Sequence, residues 1–369
     1  MDFSKLREYV DTLSGQGVPG CDIAVFKDGS QVFRHMAGHR DAEGRVPMQG
    51  DETYCLFSCT KMFTSCAAMQ LIERGLMGLD DPVSDYLPAY ARLTVQDGAR
   101  VRPARRVMTI RHLMSMQSGL DYNLESPAII GILEKTGGKA TTREVVDAKA
   151  ADPLMFEPGT DFLYSLSHDV LAAVIEVVSG LRFSEYLQRN IFDPLGLNTI
   201  GFTPKDSSRQ CAQFMRQEDG SLLHVPDTGN NYRFSPNYES GGAGLISDLH
   251  DCAAFVNALS CEGGGLLKPD TLRLWSANQL CPRGRDTFNT WKRLGYSYAL
   301  GVRTRVDLTV GGHGQIGEFG WDGAAGGWGM IDPYNRIAAY YAMHVRNFGY
   351  EYDVIHPNLR DLIYKGFGL

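Results

Sequence analysis

The sequence predicts an α/β protein with one sheet built from both ends of the chain and a helical lobe inserted between them. Strand-like runs lie near the amino terminus and again after Gly295, whereas the middle of the chain has the apolar spacing of helices. Strands that are separated by a helical segment meet in one sheet when the two chain ends pack together. This pattern predicts the fold class before any single motif is considered.

The first third of the chain begins with an amphipathic helix, MDFSKLREYVDTL, and continues with a hairpin. The run CDIAVFKDGSQVFRHMAGHRD alternates around Asp28-Gly29, a pair of residues typical of tight turns. Residues 58–75 read as a helix that ends at Gly75. Thr109 is expected to cap a further helix, TIRHLMSMQSG.

Later segments alternate between helix and strand signals. Turn residues at 157–159 precede the helical run DVLAAVIEVVSG, and the amphipathic run SDLHDCAAFVNAL begins at Ser247. From Gly295 the segments YSYALGVRTRV, GAAGGWGMID and RIAAYYAMHV predict strands, and NLRDLIYKGF predicts a closing helix. At 369 residues the chain exceeds the usual size of one core. We therefore expect one catalytic unit with residues 1–78 and 240–369 in a sheet lobe and residues 79–239 in a mainly helical lobe.

Composition excludes several classes of function. The formal charge of −7 argues against general nucleic-acid binding, and no apolar run is long enough to span a bilayer. The first residues lack the apolar core and cleavage site of a secretory signal, so a cytoplasmic location is expected. The eight cysteines form no Cys-x-x-Cys pair, and we expect buried thiols rather than disulfides or a metal site.

Ser58-Cys59-Thr60-Lys61 is the most informative short motif. Residues three positions apart on a helix project from the same face, which brings a Lys amine beside a Ser hydroxyl. The amine could take the proton of the hydroxyl, and the start of the helix favours a developing oxyanion. A single Ser-x-x-Lys match also occurs by chance, with the Ser as a helix cap and the Lys at the surface.

The order of the longer motifs resembles the serine β-lactamase and penicillin-binding protein superfamily, in its class C-like branch. The similarity covers most of the chain and rests on four segments besides the third motif: FSCTKMFTSCAAMQLIERGLMGLDDPVSDYLP, TIRHLMSMQSGL, FEPGTDFLYSLSHDVLAAVIEVVSG and SGGAGLISDLHDCAAFV. The resemblance implies a β-lactamase/DD-peptidase-like α/β fold. In that fold an antiparallel sheet is flanked by helices, and the active site lies in the cleft between the sheet and the helical lobe.

By this resemblance Ser58 is the nucleophile, Lys61 its activating partner and Tyr164 the tyrosine of the second motif. A tyrosine near cationic or polar partners can have a lowered pKa and transfer a proton. The family often has Asn two residues after this Tyr, but here Leu166 follows, as in Tyr-Ser-Leu esterases of the superfamily.

The third motif also departs from that of β-lactamases. Trp321-Asp322-Gly323 resembles the Trp-x-Gly of family VIII carboxylesterases and related acyltransferases, the closest resemblance of the chain. The resemblance implies that Gly323 lets the substrate approach the strand and that the N–H groups of Ala324 and Ser58 form an oxyanion hole. Asp322 either selects a cationic substrate or points into solvent, and the second alternative is favoured.

Aromatic and histidine side chains complete the candidate site. Tyr122, Tyr238, Trp321 and Trp328 are candidates for lining an aromatic cleft. His168 is expected to be structural, with a role in tuning Tyr164 as the alternative, and His313 is expected in a loop. The arginines between residues 100 and 111 are expected to be solvated, with binding of a substrate carboxylate as the less favoured alternative.

These observations predict a serine hydrolase that cleaves a small-molecule ester through a Ser58 acyl-enzyme, without metal or cofactor. A β-lactamase, D-amino-acid peptidase or amidase, and an acyltransferase with the same residues, are the alternatives within the enzyme class. A non-catalytic binding or scaffold protein is the alternative of another class. No nucleic-acid or membrane partner is expected, and the sequence leaves the oligomeric state, the acyl group and the leaving group open.

Overall fold

A computed structural model of the chain describes residues 1–225, 230 and 232–369. The strands are β1 Gly20–Lys27, β2 Ser30–Gly38, β3 Thr53–Cys55, β4 Thr94–Asp97, β5 Arg100–Pro103, β6 Gln213–Arg216, β7 Leu222–Val225, β8 Ile246–Asp248, β9 Tyr296–Tyr298, β10 Arg303–Arg305, β11 Phe319–Gly320, β12 Trp328–Asp332, β13 Ile337–Met343 and β14 Val345–Arg346. The helices are α1 Ser4–Thr12, α2 Thr60–Glu73, α3 Ile110–Met114, α4 Pro127–Lys135, α5 Thr142–Lys149, α6 Ser167–Ser179, α7 Phe183–Leu187, α8 Asp193–Leu195, α9 Leu249–Ser260, α10 Pro269–Ser276, α11 Pro282–Asn289 and α12 His356–Phe367.

The main sheet joins both ends of the chain, as the sequence predicts. Among the described residues it has the order β2-β1-β13-β12-β11-β10-β9, and its neighbouring strands are antiparallel. Strand β1 pairs with β2 through the predicted turn, in which Asp28 and Gly29 both have positive φ angles. Such a turn matches the twist of the two strands it connects.

The two faces of the sheet belong to different cores. Ile23 and Val25 pack in the cluster that contains Val10 of α1 and Ile363 of α12, whereas Ala24 packs in the large cluster on the opposite face. Successive side chains of a strand point to opposite faces, so β1 contributes to both cores. The large cluster continues through α2 and α9 into the helical lobe, which positions α2 between the sheet and α6.

Two expectations about helix ends are corrected, and one observation bears on the lobes. The predicted helix from Thr109 to Gly119 ends at Met114, since Met116 has a left-handed φ of 57°. The helix expected from Ser247 begins at Leu249, with Asp248 as its cap. Strands β6 and β7 lie within the range assigned to the helical lobe, yet β6 pairs with β14 near the carboxyl terminus. The lobe boundaries at residues 78 and 240 stay a prediction.

Cysteine usage agrees with the sequence analysis. All eight cysteines are free thiols, and six of them are buried, whereas Cys261 and Cys281 are half-buried. Within the described parts of the chain, no helix has the length and apolar character needed to cross a membrane.

Candidate active site

Ser58 lies in a tight turn, Phe57–Cys59, directly before α2. Phe57 is fully buried and has a φ of 44°, an unusual conformation for a bulky residue. Backbone strain of this kind persists only when the surrounding packing holds it in place. The turn therefore holds the half-buried Ser58 at the start of the helix.

Lys61 follows one turn later and is completely buried. Its Nζ lies 3.3 Å from Ser58 Oγ and 2.7 Å from the carbonyl oxygen of Gly242. Burial lowers the pKa of this amine to about 7, although the negative charge of Asp169 opposes the shift. A substantial neutral fraction of Lys61 at neutral pH makes it a candidate base for the Ser58 hydroxyl.

The Gly-Gly-x-Gly-Leu run brings the chain close to this amine. A side chain at Gly242 would begin 2.6 Å from Asp169 Oδ2 and 3.4 Å from Lys61 Nζ. Only glycine leaves room there for the contact between its carbonyl and Lys61. This contact explains why the motif has a glycine at position 242.

Tyr164 lies before α6 and faces both residues. Its hydroxyl accepts a hydrogen bond from Trp321 Nε1 at 2.9 Å and is also hydrogen-bonded to the Ser58 side chain. Lys61 Nζ lies 4.5 Å from the centre of its ring. The expected lowering of the pKa of Tyr164 is wrong: burial raises it, in spite of these two hydrogen bonds. Tyr164 is therefore suited to act as a proton donor in its neutral form.

The Trp321–Ala324 segment lies against the Ser58 turn. A Cβ at Gly323 would meet the carbonyl oxygen of Leu56 at 2.4 Å, so this glycine allows contact between two backbone segments rather than access for a substrate. Ala324 and Ser58 both line the same cleft. Among the described residues, neither N–H donates to a backbone carbonyl, and both are thus candidates for binding an oxyanion.

Asp322 does not point into solvent, and this expectation is wrong. The side chain is buried between two arginines, with Oδ2 at 2.5 Å from Arg293 and Oδ1 at 2.9 Å from Arg303. Burial acts to raise its pKa, but the two positive charges bring the pKa below the ordinary value. Asp322 is consequently a charged, paired carboxylate with no free face for a cationic substrate.

A cleft of about 410 Å³ surrounds Ser58. Tyr122 and Trp321 line it as expected, whereas Tyr238 does not: that ring is buried, and its hydroxyl donates to Asp169. Trp328 lines a neighbouring cavity instead. The sequence analysis missed further lining residues, which are Tyr232, Trp291, Arg293, Gly349, Tyr352 and Asp353.

Asp169 is a further polar residue that the sequence analysis missed. Its Oδ1 accepts from Tyr238 Oη at 2.8 Å and from Ser240 Oγ at 2.6 Å. Burial raises the pKa of this carboxyl, while Ser240 and the charge of Lys61 lower it. The available sequence signal is its position in the first turn of α6, five residues after Tyr164. Its contacts with Tyr238 and Ser240 could not be predicted, because they form only when the segment that leads to Gly242 packs against α6.

The remaining candidates do not line the cleft around Ser58. His168 is buried with Nε2 at 3.1 Å from Ser65 Oγ, in keeping with a structural role, and His313 contacts the carbonyl of Leu369 in a loop. Arg102 and Arg111 form surface ion pairs with Asp97, Glu157 and Asp80.

One group of metal-ligating side chains is found among the described residues. Asp248, His250 and Asp251 bring ligand-type atoms within 4.8 Å of one another. Asp248 already caps α9, and Asp251 accepts hydrogen bonds from Thr199, so both carboxylates have structural partners. The group does not line the cleft.

Comparison with known proteins agrees with this fold. Residues 6–358 match the profile of the family described as Beta-lactamase. The chain therefore belongs to the beta-lactamase family and is a serine hydrolase-type enzyme of that superfamily. It is 28% identical to esterase EstB of Burkholderia gladioli over 359 residues, which cover 90% of this chain and 88% of EstB.

Two further similar proteins are a transferase and a hydrolase with acyltransferase activity. The chain is 30% identical to the monacolin J acid methylbutanoyltransferase of Aspergillus terreus over 254 residues, 66% of this chain and 61% of the transferase. The solved structure of EstCE1, "a hydrolase with promiscuous acyltransferase activity", superposes with a TM-score of 0.81 at 26% identity and covers 98% of both chains.

Proposed function

We propose that this protein is a carboxylic ester hydrolase that acts through an acyl-enzyme on Ser58. The observation that carries the proposal is the buried Lys61 amine, 3.3 Å from Ser58 Oγ and with its pKa lowered to about 7. Lys61 takes the proton while Ser58 attacks the ester carbonyl, and the N–H groups of Ser58 and Ala324 stabilise the oxyanion. Tyr164 protonates the leaving alkoxide and regains a proton from the Lys61 ammonium. Water then hydrolyses the acyl-enzyme: it gives a proton to the neutral Lys61 amine, which returns that proton to Ser58 Oγ as the acid leaves.

An ester is favoured over a β-lactam or peptide by two positions in the site. Leu166 is buried in an apolar cluster with Ile129 and Tyr238, so it offers no polar group to an amide. Trp321 takes the place of the polar third-motif residue, and its indole N–H is already bonded to Tyr164. A likeness to family VIII carboxylesterases supports the same preference.

Acyl transfer to an alcohol is a second candidate because half of the residues that line the cleft are aromatic. Tyr122, Tyr232, Trp291, Trp321 and Tyr352 all line it. Aromatic walls favour an organic acceptor over water once the acyl-enzyme has formed. The similarity to a methylbutanoyltransferase and to EstCE1 supports acyl transfer as this second candidate.

The test is intact-protein mass spectrometry after mixing with p-nitrophenyl esters, with a chromogenic cephalosporin in a parallel reaction. We expect ester turnover and an acyl adduct that is lost in Ser58→Ala, with little lactam hydrolysis. Added alcohol that diverts the acyl group to a new ester would identify transfer. Ester turnover that persists in Ser58→Ala would overturn the proposal.

A further inference from the structure

Tyr352 lines the cleft and contacts the backbone beside the candidate oxyanion hole. Its hydroxyl donates a hydrogen bond at 3.0 Å to the carbonyl oxygen of Gly323. This carbonyl belongs to the same peptide group as the N–H of Ala324, a residue that lines the cleft together with Ser58. The peptide is trans, so its C=O and N–H point to opposite sides. Tyr352 therefore binds the side of the peptide group opposite to the N–H.

The carbonyl oxygen of Gly323 accepts a second hydrogen bond, from the N–H of Gly326 at 3.0 Å, which closes a tight turn over residues 323–326. A carbonyl oxygen has two lone pairs and can accept both bonds at once. The two bonds together fix the orientation of the peptide group. Because the bond from Gly326 stays when the hydroxyl of Tyr352 is removed, the turn itself does not depend on that hydroxyl.

The ring of Tyr352 is held between two neighbours. The guanidinium carbon of Arg293 lies 5.0 Å from the centre of the ring, and Arg293 is itself paired with Asp322. On another side the ring of His356 packs edge-to-face at 5.7 Å. Burial raises the pKa of the adjacent Glu351 carboxyl well above its ordinary value, and an uncharged carboxyl competes weakly for the hydroxyl hydrogen of Tyr352. These contacts leave Gly323 as the acceptor of that hydrogen.

We infer that Tyr352 is a positioning residue for the oxyanion hole: its hydroxyl orients and polarises the Gly323–Ala324 peptide group, so that the N–H of Ala324 binds the oxyanion more strongly. Hydrogen bonds that are linked through one amide strengthen each other by about 10–30%. The inference rests on the proposed ester hydrolysis, in which this N–H stabilises the oxyanion. The charge on the substrate oxygen develops only in the transition state, so the hydroxyl should affect the rate of acylation and not the binding of substrate.

The variant that tests this role is Tyr352→Phe, which keeps the ring and removes the hydroxyl. Stopped-flow acylation by p-nitrophenyl acetate, measured over a range of concentrations, separates the acylation rate constant from the dissociation constant of the substrate. One oxyanion donor is worth about 10²–10³-fold in rate, and a change of about 10–30% in the strength of its bond corresponds to about two- to eight-fold. We expect the acylation rate constant to fall by this factor and the dissociation constant to stay unchanged.

A second measurement uses phenylboronic acid, which adds to a serine oxygen as a tetrahedral anion and so resembles the transition state. Its inhibition constant should rise in Tyr352→Phe by about the same factor as the acylation rate constant falls. Tyr350→Phe is the matched control, because Tyr350 lies in the same segment and its hydroxyl donates to Gln16 at the surface, at 3.2 Å. This control should match the wild type in both measurements.

An unchanged acylation rate constant in Tyr352→Phe, or a slower one without a weaker inhibition by phenylboronic acid, would overturn the inference. So would a lower Tm or a changed dissociation constant of the substrate that accounts for the whole loss, since both indicate a structural role. If p-nitrophenyl acetate turnover persists in Ser58→Ala, the proposed function fails first, and the two failures are thus distinguished.

Discussion

Two buried polar clusters meet at the cleft, and burial affects them in opposite ways. Lys61 is desolvated beside a single acid, Asp169, and its pKa falls to about 7, near the point where the amine loses its charge. Asp322 is desolvated as well, but two arginines hold it in the charged form. Burial alone does not decide the charge of a group: the balance between desolvation and partner charges does. The first cluster is adapted for proton transfer and the second for holding a strand in place.

The largest expected effect is a loss of activity on replacing Lys61, which a second buried lysine, Lys149, should not show. Lys61→Met should lower kcat by roughly 10⁴-fold or more, because the base of the acylation step is lost. It should also raise Tm by a few degrees, since a desolvated amine is replaced by an apolar side chain. Activity assays and thermal unfolding of the same sample measure both effects.

Lys149 is the matched control, since it is buried but paired with Asp121 and Asp152 at 2.6 and 2.7 Å. Lys149→Met should lower Tm and leave the kcat of the folded protein close to wild type. Equal changes of Tm in Lys61→Met and Lys149→Met would show that pairing with acids does not change how a buried lysine affects stability.

The second expected effect concerns Asp322. Asp322→Asn leaves Arg293 and Arg303 without their shared carboxylate and should lower the free energy of unfolding by about 3–5 kcal/mol. Urea denaturation measures the change. Asp353→Asn, at an exposed carboxylate on the rim of the same cleft, should change stability by less than about 0.5 kcal/mol.

The smallest effect is a shift in pH dependence. The charge of Asp169 raises the pKa of Lys61, so Asp169→Asn should lower that pKa further. Because the neutral amine is the active form, kcat/KM rises with pH through the pKa of Lys61, and the acid limb should move to lower pH in the variant. An acid limb that moves upward would show that Asp169 acts on another group.

The parts of the site that could be predicted from the sequence depend on residues that are close together in the chain. The Ser58 and Lys61 pair depends on helix geometry, and the hairpin on the turn at Asp28 and Gly29, so both could be predicted from spacing. Tyr164 required the resemblance to a known superfamily. Tyr238 was misplaced because its orientation depends on contact with Asp169, which lies 69 residues away in the chain. Arg293 carries no motif of its own, and its role emerges only when it pairs with the third-motif strand.

The most direct test of the account is the pH dependence of acylation. Stopped-flow measurement of the p-nitrophenolate burst, with the adduct located on Ser58 by peptide mass spectrometry, isolates this step. We expect a burst rate that rises with pH to a plateau with an apparent pKa near 7 and that is lost in Lys61→Met. A burst that is independent of pH, or one that Lys61→Met retains at the wild-type rate, would contradict the role of Lys61 as the base.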